Sequence, residues 1–316
     1  MNYALATIRH LGKPAPVIEA GDAYWLLSEV APELLQPDPG RGLLSIFDCW
    51  DEREPRLAAL AEKLIGRTGG AGKAEPAPGT DDFLAPLLYP NKLLLMGANY
   101  YDHVHNDAGI SDFQKTEKMP TLFFKPPTTT LVGSGKSVRY PTQSKKFDWE
   151  IELAAVIGKR ARRVRTAGAL DCVAGYTIGI DLSARDWQFH PKHLVKFDLF
   201  GGKGFDDSCP LGPKIVPARF VDHGNLQLRL YVNGELKQNA NTRDMIWSLA
   251  EQIEAMSEHV TLEPGDVILT GTPAGVGLAA GTYLKVGDRI DANIDQLGRL
   301  SVEIVEDQPE AAYRHA

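Results

Sequence analysis

Three carboxylates at alternate positions, in Asp148-Trp149-Glu150-Ile151-Glu152-Leu153, carry the most chemical spacing in this chain. Side chains of a strand alternate between faces, so Asp148, Glu150 and Glu152 share one side and Trp149, Ile151 and Leu153 the other. Like charges so close repel, and the segment runs straight into Ala154-Ala155-Val156-Ile157, an apolar run expected to be buried. Partly buried carboxylates need a cation or a proton. A hard divalent ion bound through oxygen supplies that cation. A half-exposed sheet with an acidic solvent face gives the same alternation, so this strand alone leaves both readings open. Asp181 ends another strand-like run, Val173 to Ile180, and opens Asp181-Leu182-Ser183-Ala184-Arg185-Asp186-Trp187-Gln188. It is either a turn residue or a third carboxylate. Two acids from one strand and one from another can form one face of an octahedral Mg²⁺, leaving positions for substrate and water.

A third cluster, Gly97-Ala98-Asn99-Tyr100-Tyr101-Asp102-His103-Val104-His105-Asn106-Asp107, runs from a short strand into a loop with two histidines. Histidine is the usual base at neutral pH, and a nearby acid would orient it. The pair can equally bind a transition metal or lie on the surface. Lys203 sits in Gly201-Gly202-Lys203-Gly204, where glycines allow a ligand close to the backbone. It is either a loop lysine or a positive charge for a carboxylate or enolate.

The elements that must position these residues are strands with scattered helices. Tyr3 to Ile8, Ala23 to Leu27, Leu93 to Met96, Ile151 to Ile157, Val173 to Ile180 and Asp266 to Leu269 read as strands. Leu226, Leu228, Leu230 and Val232 alternate with polar residues and run into Asn233-Gly234, a hairpin signal. Leu57, Leu60, Ala61, Leu64 and Ile65 share one helical face, and so do Ile246, Leu249, Ile253 and Met256. The stretch Thr68 to Thr80 is rich in Gly, Pro and Ala and has no large apolar residue, which marks a linker. The expected organisation is a small N-terminal domain over 1–67, a linker over 68–85 and a catalytic domain over 86–316, in a β-rich α+β class. Gly271-Thr272-Pro273-Ala274-Gly275 follows a strand but lacks the lysine of a phosphate loop.

The bulk composition narrows the class. The chain has 316 residues, 43% of them hydrophobic and 24% charged, enough for one large domain plus a small one. A net charge of -7 argues against a nucleic-acid partner. The basic run Lys159 to Arg165 reads as a solvated loop. No apolar stretch approaches the roughly 18 residues a membrane span needs, and the first residues lack a secretory signal pattern. Cys49, Cys172 and Cys209 have no metal-motif spacing and read as reduced thiols, so a cytoplasmic enzyme is expected.

In order, these clusters resemble the fumarylacetoacetate hydrolase superfamily over about residues 90 to 305. The blocks are Gly97-x-Asn99-Tyr100-x-x-His103, Phe124-Lys125-Pro126, Asp148-Trp149-Glu150-x-Glu152-Leu153, Asp181-x-Ser183-Ala184-Arg185-Asp186-x-Gln188 and Gly202-Lys203. Then come Leu211-Gly212-Pro213, Val232-Asn233-Gly234-Glu235 and Pro264-Gly265-Asp266-x-Ile268-x-Thr270-Gly271-Thr272-Pro273-x-Gly275-Val276-Gly277. The resemblance implies a twisted mixed β-roll, a smaller N-terminal region and a homodimer. It implies Mg²⁺ or Mn²⁺ held by Glu150, Glu152 and Asp181, with Asp148 outside the ligand set. It casts His103 as the base for a catalytic water, and Gln188, Lys203 and Thr272 as substrate contacts that steady developing negative charge. The implied reaction is hydrolytic C–C cleavage of a small β-diketo acid such as an acylpyruvate, the leaving carbon departing as an enolate held by the metal, Lys203 and Gln188. Tautomerisation, decarboxylation, hydration or isomerisation of an oxo-acid are the alternatives within the superfamily. One departure bears on that choice: many members carry a glutamate three residues after the histidine, where this chain has Asn106. Asp107 or another acid would have to replace it. The polar stretch Asn106 to Met119 is a candidate lid or a plain loop.

Overall fold

The computed structural model describes residues 2–67, 70, 72–74, 79, 82–107, 109–110 and 112–307. The expected linker falls partly outside these residues. Its described parts lie along the first strands, with Ala74 N–H donating to Tyr24 O and Leu84 N–H to Thr7 O, each at 2.9 Å.

Strands in chain order are β1 (Tyr3–His10), β2 (Lys13–Ala20), β3 (Ala23–Leu26), β4 (Leu93–Gly97), β5 (Thr121–Lys125) and β6 (Leu131–Val132). They continue with β7 (Lys136–Arg139), β8 (Phe147–Asp148), β9 (Ile151–Ile157), β10 (Val173–Ile180), β11 (Ser183–Ala184) and β12 (Cys209–Pro217). The last are β13 (Gln227–Val232), β14 (Glu235–Asn241), β15 (Val267–Leu269), β16 (Arg289–Ile294) and β17 (Gly298–Val305). One large sheet runs β3-β2-β1-β12-β10-β9-β15-β4-β5, with β6 on β12. A second sheet runs β14-β13-β16-β17-β7, and β8 pairs with β11 in a two-stranded ribbon. Both pairing senses occur, since β15 lies parallel to β4 and antiparallel to β9. The mixed, strand-rich α+β class is therefore as expected.

β9 and β10 are central and covered on both faces, which is why they read as near-continuous apolar runs. Ile151, Leu153, Ala155 and Ile157 of β9 face a core shared with β13, β16, β17 and the helix Leu249–His259. Ala154 and Val156 face a second core closed by the helix Trp50–Leu64 and β1. The N-terminal strands join the large sheet through β1 and β12, so residues on the two sides of the expected linker share a sheet and a core.

Two elements differ from the pattern in sequence. Ser248 accepts from Glu251 N–H in a capping box, so the helix begins at Leu249. Ile246 lies before it, packed with Met96, Val104 and Trp247. The carboxylate strand is also broken: β8 ends at Asp148 and β9 starts at Ile151.

Candidate active site

The break between β8 and β9 separates the three acids of the motif. Asp148 is buried against Arg185 (Nε to Oδ2, 2.8 Å) and accepts from the amides of Trp149, Gly277 and Leu278 at 2.6–2.9 Å. It anchors the polypeptide. Glu150 and Glu152 take a different course, because backbone pairing brings Asp181 to them. β10 runs antiparallel to β9 with Ile180 opposite Ile151, and Asp181 N–H donates to Glu150 O at 2.9 Å. One carboxylate oxygen from each of Glu150, Glu152 and Asp181 then lies within 4.8 Å of the others. All three side chains are buried, which rules out an acidic solvent face.

Buried cations compensate this cluster unevenly. Lys203, ending the short helix Leu199–Lys203, bridges Glu150 at 2.7 Å and Asp181 at 2.5 Å. Lys125, from the end of β5, lies 2.8 Å from Asp181 and donates to the carbonyls of Leu182 and Ser208 at 3.1 and 2.9 Å. Arg185 holds both Asp148 and Glu150. Four buried acids thus face three buried cations, and Glu152 is the one without an ion-pair partner among the described residues. Among the described residues it accepts only the Gly271 amide, at 2.6 Å. Gly271 has φ +95° and a Cβ there would lie 2.5 Å from Asn99 Cβ, so the donor can approach only as glycine.

The charge states reflect this inequality. Burial raises the pKa of Glu150, but Lys203 and Arg185 outweigh it and hold the carboxyl well below its ordinary range. Burial, Asp181 and Glu150 all push Glu152 well above its ordinary value. Burial lowers Lys125 despite Asp181, whereas Asp181 and Glu150 raise Lys203 despite its burial. Three converging carboxylates with one left uncompensated suit a hard divalent cation, which would satisfy Glu152 without a proton. The donor set fits Mg²⁺ or Mn²⁺.

Above this cluster lies a cavity of ≈ 400 Å³. Its lining includes Glu150, His103, Lys203, Gln188 and Thr272, so five of the seven residues singled out in sequence share one cavity, and the other two join Glu150 beside it. His103 Nδ1 lies 2.6 Å from Asp107 Oδ2. A π-helical turn over His103–Asp107 makes that contact, and Gly275 N–H donates to the same carboxylate oxygen at 3.2 Å. Asp107 is thus the acid beside His103, whereas Asn106 is exposed and its side chain meets His105 Nδ1 at 3.2 Å. His105 is exposed as well, so the two histidines do not converge on a metal. Within the candidate lid Asn106 to Met119, residues 108 and 111 lie outside the described residues. Lys115 pins the segment to Glu251 at 2.6 Å.

Thr272 Oγ1 donates to Ile151 O at 2.9 Å and accepts from Gln238 Nε2 at 2.9 Å. Gln188 accepts from Arg185 Nη1 at 3.1 Å. Three supporting residues are not apparent from sequence. Gln238, in β14, caps Ile151 N–H at 2.9 Å and holds Pro273 O at 2.8 Å. Lys125 and Arg185 stand within quoted motifs, but their partners are remote in sequence. Asn99 is structural: its amide joins Trp247 and Thr270 at 2.7–3.0 Å.

Residues 92–305 match the fumarylacetoacetate (FAA) hydrolase C-terminal family. The chain belongs to the fumarylacetoacetate hydrolase family. A mitochondrial oxaloacetate tautomerase of Xenopus laevis is 42% identical over 225 residues, covering 70% of this chain and 68% of the relative. A mitochondrial oxaloacetate tautomerase of Homo sapiens is 40% identical over 226 residues, 71% of this chain and 69% of the relative. Among solved structures, a fumarylacetoacetate hydrolase from Exiguobacterium antarcticum superposes with a TM-score of 0.76 at 29% identity, covering 96% of this chain and all of that one. A maleylpyruvate hydrolase from Sphingobium sp. SYK-6, in complex with manganese (II) ion and pyruvate, gives 0.74 at 27% identity, covering 96% of this chain and 100% of that one. These relatives indicate an enzyme and include both tautomerases and hydrolases. No helix among the described residues is long and apolar enough to cross a membrane.

Proposed function

We propose that this chain is a Mg²⁺- or Mn²⁺-dependent enzyme that enolises a small 2-oxo acid, with keto–enol tautomerisation as its net reaction. The observation that carries enolisation is the His103–Asp107 pair, at 2.6 Å, on the cavity that also holds Glu150 and Lys203. Asp107 only accepts, so Nδ1 of His103 carries the hydrogen and Nε2 keeps the lone pair of a base. His103 removes the proton from the carbon next to the carbonyl, and that bonding pair becomes the enol double bond. The former carbonyl oxygen then takes a proton given up by His103, which regenerates the base. A divalent ion on Glu150, Glu152 and Asp181 would supply Lewis-acid polarisation of that oxygen. Lys203, Gln188 and Thr272 supply the surrounding charge and hydrogen bonds. The tautomerases at 38–42% identity favour this outcome over cleavage.

Hydrolytic C–C cleavage, the reaction expected from sequence, is the second reading, and Asp107 favours it by filling the place of the absent glutamate. There His103 would take its proton from water, hydroxide would add to the distal carbonyl, and the C–C bond would break to a carboxylic acid and an enol. A time course by NMR on oxaloacetate and on 2,4-dioxo acids separates the two. Enol–keto interconversion without fragments supports the tautomerase, and two fragments per substrate overturn it in favour of the hydrolase. His103→Ala should lower either rate on the order of 10²- to 10⁴-fold. The free thiols Cys49, Cys172 and Cys209 suit a reducing compartment such as the cytoplasm. A homodimer is the assembly that the family resemblance suggests.

A further inference from the structure

The cavity is chemically divided by depth. Glu150, Arg185, Gln188, Lys203 and Thr272 are at most 5% exposed and form its polar floor. At its rim, Phe189 and Phe197 are 48% and 42% exposed with ring centroids 5.5 Å apart, and Leu278 is 36% exposed. Half-exposed aromatic rings beside a polar floor leave apolar area that a ligand can cover. The volume of ≈ 400 Å³ also exceeds the need of a four-carbon acid, lying within the roughly 300–1,000 Å³ typical of larger ligands.

Charge argues the same way. The basic side chains lining the cavity are Arg185, Lys203 and the imidazole of His103. Each is engaged: Arg185 by Asp148 and Glu150, Lys203 by Glu150 and Asp181, His103 by Asp107. A second carboxylate at the far end of a substrate would meet phenyl rings and the acid Asp107, with no uncommitted cation among the lining residues. Burying it there would be costly.

We infer that the site selects 2-oxo acids whose far substituent is uncharged and apolar, with Phe189 and Phe197 as the specificity-determining residues. This rests on the function proposed above for the chemistry, but not for the recognition. Oxaloacetate, whose far group is itself a carboxylate, is then a poorer substrate than its apolar counterparts.

The test is a homologous series of 2,4-dioxo acids with methyl, propyl, pentyl or phenyl at carbon 4, compared with oxaloacetate in Mg²⁺. We expect kcat/KM to rise roughly three- to four-fold per methylene along the alkyl series, and the phenyl compound to exceed oxaloacetate. Phe189→Ser and Phe197→Ser should flatten that series, read in each variant as the ratio of kcat/KM between the longest and shortest alkyl compounds. A parallel calorimetric titration with straight-chain 2-oxo acids of increasing length reads recognition without turnover. A length-dependent affinity with no turnover of any compound would sink the proposed function and leave the specificity inference standing. Turnover with a flat series, a preference for oxaloacetate, or a slope unchanged in both Phe variants would overturn the inference alone.

Discussion

Glu152 carries the sharpest electrostatic imbalance in the site: a buried carboxylate with one amide donor and two acids for neighbours. Glu152→Gln keeps its shape and its acceptor toward Gly271 N–H while deleting the charge. Calorimetric titration should show Mn²⁺ affinity falling on the order of 10²-fold or more, while the melting temperature of the metal-free variant matches or exceeds that of the wild type. Unchanged Mn²⁺ affinity would remove Glu152 from the ligand set. The spacing brought the acids of the 148–152 segment into view but left an acidic solvent face open, and the grouping of Glu150, Glu152 and Asp181 came from the family resemblance. The role of Asp148 was not. It shares the motif, yet Arg185 and two amides of the 277–278 turn claim it, and those partners lie 37 and about 130 positions away.

At the scale of elements, the site depends on the opening of β9 being held against the loop after β15. Gln238 makes that joint, with hydrogen bonds to Ile151 N–H, Thr272 Oγ1 and Pro273 O. Gln238→Leu strands Ile151 N–H and Pro273 O and removes one of the two hydrogen bonds of Thr272 Oγ1. Denaturant unfolding should report a loss of about 1–3 kcal/mol for each group left unsatisfied, up to the limit set by relaxation. A loss under about 0.5 kcal/mol would show that Gln238 is replaceable there. β9, β10 and the hairpin were readable because local pattern decides them. Asn233 and Gly234 take φ of 52° and 80°, as a two-residue turn with both central residues left-handed requires. Gln238 was invisible, since a polar residue in a hairpin strand ordinarily faces water. The His103–Asp107 contact was half legible: the acid was in view, but a π-helical turn sets the geometry and no sequence pattern announces one.

For the whole molecule, the carboxylate cluster ties stability to pH and metal. In the metal-free protein Glu152 has a pKa raised above its ordinary 4.5, so the fold holds that proton to higher pH than the unfolded chain does. That contribution is fully present below about 4.5 and is lost as pH rises through the raised value. A bound cation favours the ionised form and reverses the trend. In EDTA, wild type should therefore lose melting temperature relative to Glu152→Gln as pH rises above the ordinary 4.5 and through the raised value, and excess Mg²⁺ should restore it most at the high end. A difference between the two proteins that stays flat with pH would contradict this linkage. The central claim is that the carboxylate cluster and the His103–Asp107 pair together enolise a 2-oxo acid. Solvent deuterium uptake at the carbon beside the carbonyl of oxaloacetate, followed by ¹H NMR, tests it most directly. Rapid uptake should occur with Mg²⁺ and fall to the uncatalysed rate after chelation and in His103→Ala. Uptake that survives exhaustive chelation, or substrate consumption by the Mg²⁺ enzyme with no uptake, would contradict it.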